Sequence, residues 1–284
     1  MDTGRVLTDR AGGANAPEPQ SVSALSGAHP SRDKPVKPLG RKAYGSIPHL
    51  PGSRLGPGDH HCHVGQEAIC TTKVRDKHDR IIVTEKLDGG NVAVAKVGGK
   101  IWALGRAGYP AITSPFEQHH HFDAWVNVGR AMWDAMLSEG EAVHGEWLAM
   151  AHGTRYDLPH APFVAFDITR AAQRVLHDEL TERCAIYGVT TAHVISDGPA
   201  ITVEAALAAL GDRGKHGALE AVEGAVWRVE RKGRFDFLAK YVRPEKQDGK
   251  YLPEISGCAP YWHWLPNPPG PHSGASGVGQ GDAS

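Results

Sequence analysis

Three short apolar runs follow one another with little but glycine pairs between them: Ile81–Lys86, Val92–Val97 and Ile101–Arg106, separated at Gly89-Gly90 and Gly98-Gly99. Runs this short, rich in β-branched residues and punctuated by glycine, fold as strands, and Gly98-Gly99 suits a two-residue hairpin turn. Side chains alternate along a strand. Thr84, Lys86 and, beyond the strand end, Asp88 therefore share one face, while Val83, Glu85 and Leu87 share the other. A lysine that leaves a buried strand into a Gly-Gly turn has two readings. It is a surface lysine beside ordinary Asp88-Gly89 turn chemistry, or a nucleophile held at the mouth of a pocket.

The remaining elements narrow the fold class. The apolar spacing from Phe116 to Leu137 predicts a helix over 115–137, with Pro115 in its first turn and Gly140 after its last. Strands are expected over 142–150 and 162–168, then helices over 170–187 and 203–210. A final hairpin is expected from strands over 222–230 and 235–242, turned by Arg231-Lys232-Gly233. Strands, helix, strands, helices, strands is an α+β order with mainly antiparallel sheets. The stretch from Tyr44 to Arg54 mixes turn residues with apolar anchors and reads as a structured loop. Residues 1–41 and 266–284 are rich in Gly, Ala, Pro and Ser, so disordered tails are expected around one folded domain over 42–265.

Composition excludes some functions. The formal net charge of −1 over 284 residues gives no global field toward nucleic acid, so any such contact must be a local basic patch. Two basic runs qualify: Lys73, Arg75, Lys77 and Arg80 before the lysine strand, and Arg228 to Lys250 around the last hairpin. No apolar stretch approaches a membrane span and no signal-peptide core opens the chain, so a cytoplasmic protein with no membrane partner is expected. The four cysteines show no framework spacing, which suits reduced thiols. His60-His61-Cys62-His63 with Cys70 invites a zinc reading. Adjacent ligands converge poorly on a tetrahedral ion, however, and no second pair has finger-like spacing. The consecutive histidines His119 to His121 point in different directions on a helix.

Lys86, Arg106, Glu146, Phe166, Glu223 and Lys240 all lie in or at the ends of expected strands. Together they supply a lysine, further cations, acidic groups and an aromatic plane, the set that nucleotide transfer needs. Here the sequence resembles a family. Lys86-Leu87-Asp88-Gly89 is similar to the first motif of the covalent nucleotidyltransferases, which comprise DNA ligases, RNA ligases and mRNA capping enzymes. The later motifs follow in the family's order: Arg106, then Gly145-Glu146-Trp147, Phe166-Asp167-Ile168, Glu223-Gly224-Ala225-Val226 and Leu238-Ala239-Lys240-Tyr241. The resemblance spans about residues 81–243. Asparagine five residues after the lysine, here Asn91, resembles the nick-sealing, phage-type RNA ligases rather than DNA ligases or capping enzymes, which usually carry arginine there. Fewer than fifty residues follow Lys240, which leaves no room for the OB-fold that those other enzymes attach. One departure stands out. The family's last motif usually reads Lys-x-Lys, whereas Lys240 is followed by Tyr241-Val242-Arg243, with Arg243 or Lys246 as possible substitutes.

The resemblance implies a nucleotidyltransferase domain, an ATP-grasp-like ligase adenylation domain of antiparallel sheets flanked by helices without an OB-fold. It implies an ATP-dependent RNA ligase that joins 5′-phosphate and 3′-hydroxyl ends through lysyl-AMP and adenylylated RNA. Lys86 would be the nucleophile. Glu85, Arg106, Glu146, Phe166 and Lys240 would join it in binding nucleotide, Glu223 would hold Mg²⁺ (or Mn²⁺), and Asn91, Arg54 and Arg243 would contact RNA. The implied partners are RNA ends, in a nicked duplex or single-stranded. A DNA ligase or guanylyltransferase of the same superfamily, or a non-catalytic module that binds RNA ends or nucleotide, remains the alternative. A free lysine is mostly protonated at neutral pH, so the nucleophile needs its pKa depressed by burial, nearby cations or a metal.

Overall fold

The two glycine pairs do different work. Gly98-Gly99 closes a hairpin between β2 (Gly90–Val97) and β3 (Lys100–Gly105), with Val97 opposite Lys100. Gly89-Gly90 instead hands the chain from one sheet to another, because β1 (Asp79–Lys86) does not pair with β2. The computed structural model describes residues 35–266. The tails expected over 1–34 and 267–284 lie outside the described residues. Residues 35–41 were expected to be tail as well, yet they lie against the fold. Leu39 packs on Ala93, Ala95 and Leu104, and Gly108 at φ +88° approaches the Arg41 carbonyl so closely that a β-carbon has no room.

The later strands are β4 (Glu141–Trp147), β5 (Phe163–Arg170), β6 (Gln173–Arg174), β7 (Val194–Gly198), β8 (Gly224–Arg231) and β9 (Arg234–Val242). They form two sheets with spatial orders β7-β1-β8-β9 and β3-β2-β4-β5-β6. Every pairing is antiparallel, and neither sheet closes into a barrel. Mainly antiparallel sheets with helices are the expected α+β architecture.

Helices cover outer faces. Along β2 the residues alternate, so Val92 and Val94 join one apolar cluster while Ala93 and Ala95 join another. The Val92 side meets α2 (Glu117–Val128), α3 (Arg130–Met136) and α4 (His177–Ile186), where Phe122, Val126, Trp133 and Leu180 are buried. The other sheet buries Ile81, Val83, Trp227 and Val229 against Cys70 of α1 (Val64–Thr71) and Ala206 of α5 (Val203–Leu210). A third cluster, with Leu87, Leu148, Tyr156 and Val164, joins the two sheets beneath the Leu87–Gly89 crossing. A short helix, α6 (Pro253–Ser256), lies near the described C-terminal end.

Several elements differ from expectation. The helix expected over 115–137 is two helices, broken at Gly129 (φ −86°, ψ 12°). Gly129 still donates to the Trp125 carbonyl and accepts from the Trp133 amide, so the apolar pattern runs on across the break. The helix expected over 170–187 starts only at His177. Residues 169–170 instead extend β5, because Glu141 pairs with Arg170 across the sheet. The helix over 203–210 lies where expected. Sequence reading missed α1 and β7, both short and only partly apolar.

Candidate active site

Strand pairing sets the central contact. In β1, Lys86 lies opposite Gly224, so Glu223, one residue before β8, emerges beside it. Lys86 Nζ donates to Glu223 Oε2 at 2.7 Å. In the other sheet, Asn91 lies opposite Glu146. The crossing at Gly89 joins these two edges and has no slack. A β-carbon there would meet the Trp147 carbonyl at 2.5 Å and the Leu148 side chain at 2.9 Å. Glu146 Oε1 accepts the Gly89 amide at 3.1 Å. Asp88 Oδ2 accepts from the Gly153 amide (3.1 Å) and the Thr154 hydroxyl (3.2 Å), and pairs with Lys246 Nζ at 2.8 Å. Asp88 Oδ2 is thus engaged in fixing the loop after the lysine.

A cleft of about 700 Å³ opens over these groups. Lys86, Asp88, Asn91, Glu146, Glu223, Arg106 and Lys240 line it, brought together from both sheets. Its far wall carries Tyr109, Phe116, Gln118, His119 and His152. Asn91 Oδ1 is buried without a protein hydrogen-bond partner. A smaller cavity of about 100 Å³ continues inward past Lys86, Asn91 and Glu146, with Thr84, Leu87, Phe166, Val226 and Leu238 among its walls. Phe166 reaches it through a β-bulge. Ala165 lies opposite Gly145 and Asp167 opposite His144, which leaves Phe166 as the unpaired extra residue, turned out of the ladder. Tyr44 braces it edge-on, with ring centroids 5.1 Å apart, and donates its hydroxyl to Asp167 Oδ2 at 3.1 Å.

The electrostatics run against one expectation. A depressed lysine pKa was anticipated. Burial does push the Lys86 ammonium down, but the charges of Glu223 and Glu146, the bond to Glu223 and the charge of Asp88 outweigh it, and the pKa is raised. Without a ligand the amine is therefore held protonated. Burial pushes the carboxyls of Glu146 and Glu223 up to about 7, against the pull of Lys86. Lys240 is depressed, first by burial and then by the positive charge of Lys86.

The model of the RNA ligase family matches residues 79–242, more than half of the 284. This chain belongs to the RNA ligase family. It is also similar to solved structures. A Naegleria gruberi RNA ligase mutant with AMP and Mn is 19% identical, with 69% of this chain and 59% of that chain covered and a TM-score of 0.49. Naegleria gruberi RNA ligase with PPi is 18% identical, with 74% and 62% covered and a TM-score of 0.47. An archaeal ATP-dependent RNA ligase is 20% identical, with 70% and 48% covered and a TM-score of 0.40. The chain spans about half to three fifths of the length of these structures. A search of curated proteins found no match.

Within this RNA ligase family member, the expected site residues divide. Lys86, Asn91, Arg106, Glu146, Glu223 and Lys240 face the main cleft, and Phe166 the inner cavity. Arg106 lies just past β3, its guanidinium near the Gly45 carbonyl and Ser46 hydroxyl. Glu85 borders the inner cavity, but its carboxylate turns to the opposite face of β1 and accepts the Lys215 amide at 2.9 Å. Arg54 and Arg243 line neither cavity. Arg54 pairs with Asp248 at 2.7 Å, and Arg243 lies 3.7 Å from Asp212. Of the two possible substitutes for the missing motif lysine, Lys246 reaches the site through Asp88 and Arg243 does not.

The expected basic patches are largely neutralised. Arg75 and Arg231 share Asp79, and Arg80 pairs with Asp178 and Asp197. Arg228 is buried against Asp167 and Glu230, and Lys250 pairs with Glu220. Asp178, Asp197 and Asp167 are distant in sequence from the arginines they pair with, which hides that part of the neutralisation from a linear reading. Sequence reading also missed Tyr44 and the cleft-wall pair of His152 Nε2 and Gln118 Oε1 at 3.0 Å. Among the described residues, no three His, Cys, Asp or Glu side chains form a ready-made metal cage, at His60–His63 or elsewhere. A hard cation that keeps waters and takes phosphate oxygens needs only one or two carboxylates. The buried carboxylates of Glu223 and Glu146, both crowded by negative charge, fit that requirement.

Proposed function

We propose that this chain is an ATP-dependent RNA ligase whose nucleophile is Lys86. The observation that carries the reading is the Lys86–Glu223 pair, 2.7 Å apart at the junction of a wide cleft and an inner aromatic cavity. The inner cavity offers apolar walls and the Phe166 ring for an adenine, and the cleft leads outward for phosphates and an RNA end. In the first step the Lys86 amine attacks the α-phosphorus of ATP. A P–N bond forms, the bond to the bridging oxygen breaks, and pyrophosphate leaves. The AMP then moves to an RNA 5′-phosphate. A 3′-hydroxyl finally attacks that activated end, forming the phosphodiester and releasing AMP.

The residues divide these tasks. Glu223 Oε2 holds the Lys86 proton before the reaction. With Glu223 holding a cation, burial of the ammonium would be opposed by fewer negative charges, which would favour the free amine. Bound Mg²⁺ (or Mn²⁺) would supply charge neutralisation on the transferring phosphate. Arg106 and Lys240 add positive charge beside the same phosphates, Glu146 is placed to accept from the ribose, and Asn91 offers its free carbonyl oxygen toward an RNA end.

The test is covalent labelling. The protein with Mg²⁺ and α-labelled ATP gives a labelled band on a denaturing gel, and Lys86→Ala gives none. Label that survives Lys86→Ala overturns the nucleophile assignment. Sealing of nicked RNA duplex, but not of nicked DNA, supports the RNA substrate class, and the reverse overturns it.

A further inference from the structure

Lys240 is the single lysine of a motif that usually has two, and it is held from behind by a buried polar cluster. The loop from Pro48 to Arg54 is sewn along β9 on both sides of it. The Lys240 amide donates to the Pro48 carbonyl (2.9 Å), and the Leu50 amide donates to the Lys240 carbonyl (2.8 Å). Two residues on, the Val242 amide donates to Ser53 Oγ (2.9 Å), and the Arg54 amide to the Val242 carbonyl (2.9 Å). Inside this loop, His49 is 1% exposed. Its Nδ1 lies 2.6 Å from Ser53 Oγ, and its Nε2 lies 3.1 Å from Asp59 Oδ2, off-line for a full hydrogen bond. Asp59 Oδ2 also accepts the Gly56 amide at 3.1 Å, and Oδ1 faces Lys240 Nζ at 3.7 Å.

One tautomer satisfies the set. The Ser53 hydroxyl donates to His49 Nδ1, and the Nε2 proton faces Asp59. Ser, His and Asp in this order resemble an acyl-transfer triad, but the geometry excludes that role. Ser53 is 8% exposed, already accepts the Val242 amide, and borders neither the cleft nor the inner cavity.

We propose that Ser53, His49 and Asp59 are positioning residues that aim the Lys240 ammonium into the cleft, in place of the geometric restraint a second motif lysine would give. Asp59 supplies the charge. His49 and the Gly56 amide fix Asp59, and Ser53 fixes His49 to the same strand that carries Lys240. A flexible lysine loses rotamer freedom when it must hold one orientation, and a fixed carboxylate behind it meets part of that cost before ATP arrives. Burial and the Lys86 charge both act to neutralise Lys240, and the Asp59 charge opposes them. The inference rests on the ligase reading for what Lys240 does, but not for how it is held.

Two measurements test it. The first follows Lys240 directly, by NMR of the ¹³C-dimethylated lysines, with Lys240→Arg assigning the signal. Asp59→Asn, which keeps the shape and removes the charge, lowers the Lys240 titration midpoint, and Asp59→Glu restores part of it. An unmoved midpoint overturns the proposal. The second is a double-mutant cycle on single-turnover lysyl-AMP formation. Asp59→Asn slows the wild-type rate about tenfold, the scale of one charge-assisted contact. It has little further effect in the Lys240→Ala background. Fully additive losses overturn the proposal, since a loop that merely supports the fold weakens both backgrounds alike. If the wild type forms no lysyl-AMP, the ligase reading fails, and the NMR titration still decides whether Asp59 holds Lys240.

Discussion

Lys86 Nζ and Glu223 Oε2 stand 2.7 Å apart, and the contact is a direct product of strand register, with Lys86 opposite the glycine that follows Glu223. The resting site is thereby locked against the proposed chemistry, with the proposed nucleophile protonated and the candidate cation ligand engaged. Glu223→Gln releases the lock but also removes the proposed cation ligand, and the second effect dominates. Transfer to Lys86 falls by roughly 10²–10³, the scale of losing one group that stabilises transition-state charge. Single-turnover labelling at saturating ATP and Mg²⁺ measures it. A loss smaller than about tenfold contradicts the cation-ligand assignment.

The same groups set a pH dependence. Burial places the Glu146 and Glu223 carboxyls at about 7, and the carboxylates keep Lys86 protonated above its ordinary range. Raising pH through 7 ionises the two acids, and raising it further draws a proton from the lysine. The first change tightens the hold on the Lys86 proton while readying the carboxylates for a cation, and the second enlarges the free-amine fraction, so the rate of lysyl-AMP formation climbs from pH 7.5 to pH 9. A rate-pH profile that is flat or falls over that range contradicts the assignment.

Phe166 reaches the inner cavity only because a bulge turns it out of its strand, and it is partly buried there. Phe166→Ala removes a stacking plane at the margin of the core rather than at its centre. The KM for ATP rises about tenfold or more, consistent with about 1–3 kcal/mol per stacked base, while the melting temperature shifts little. A change confined to the maximal rate argues that the base binds elsewhere.

Acid sensitivity of the fold comes from buried imidazoles. Burial lowers His144 to about 3, and His49 and His216 to about 4. Each is neutral when folded but takes a proton near 6.5 when unfolded. Their contribution to stability is complete above 6.5 and is lost as pH falls toward 4, by about 1.4 kcal/mol per pH unit for each excess proton. Urea midpoints at pH 7.5, 6 and 5 follow this, and His144→Gln flattens the slope unless the ring is protonated in the native state.

Ala171 and Ala172 both take positive φ, 48° and 71°, in the two-residue turn between β5 and β6. Such a turn prefers Asn-Gly, because β-carbons are crowded in the left-handed region. Replacing the pair with Asn-Gly raises stability by roughly 0.5–1.5 kcal/mol, read from urea denaturation. A loss of stability means that the turn is not in this conformation.

How much of this was legible in the sequence depended on distance along the chain. The Gly98-Gly99 hairpin, the last hairpin and the helix over 203–210 follow from local pattern. The cleft residues were legible too, because strand alternation and motif order concern neighbours. The start of α4 was not. The run from Arg170 to Arg174 has fair helix propensity, and only pairing across the sheet, of Arg170 with Glu141 and with Gln173, makes it a tight turn instead. Charge was misread for the same reason. Arg80 looks free beside its neighbours, yet its acids lie about a hundred residues away. The raised pKa of Lys86 was hidden similarly, since Glu146 and Glu223 join it only in three dimensions.

The antiparallel ladder from Lys86–Gly224 to Asp79–Arg231 is unbroken, one residue for one residue. An insertion or deletion of a single residue within either strand would keep the hydrogen bonding but shift which side chains meet across it. Past such a change in β1, Glu85 would take the cleft and Lys86 the interior. The count of residues between the core of β1 and its end is thereby fixed by the register. The constraint on inheritance at this site is one of spacing as much as of chemistry.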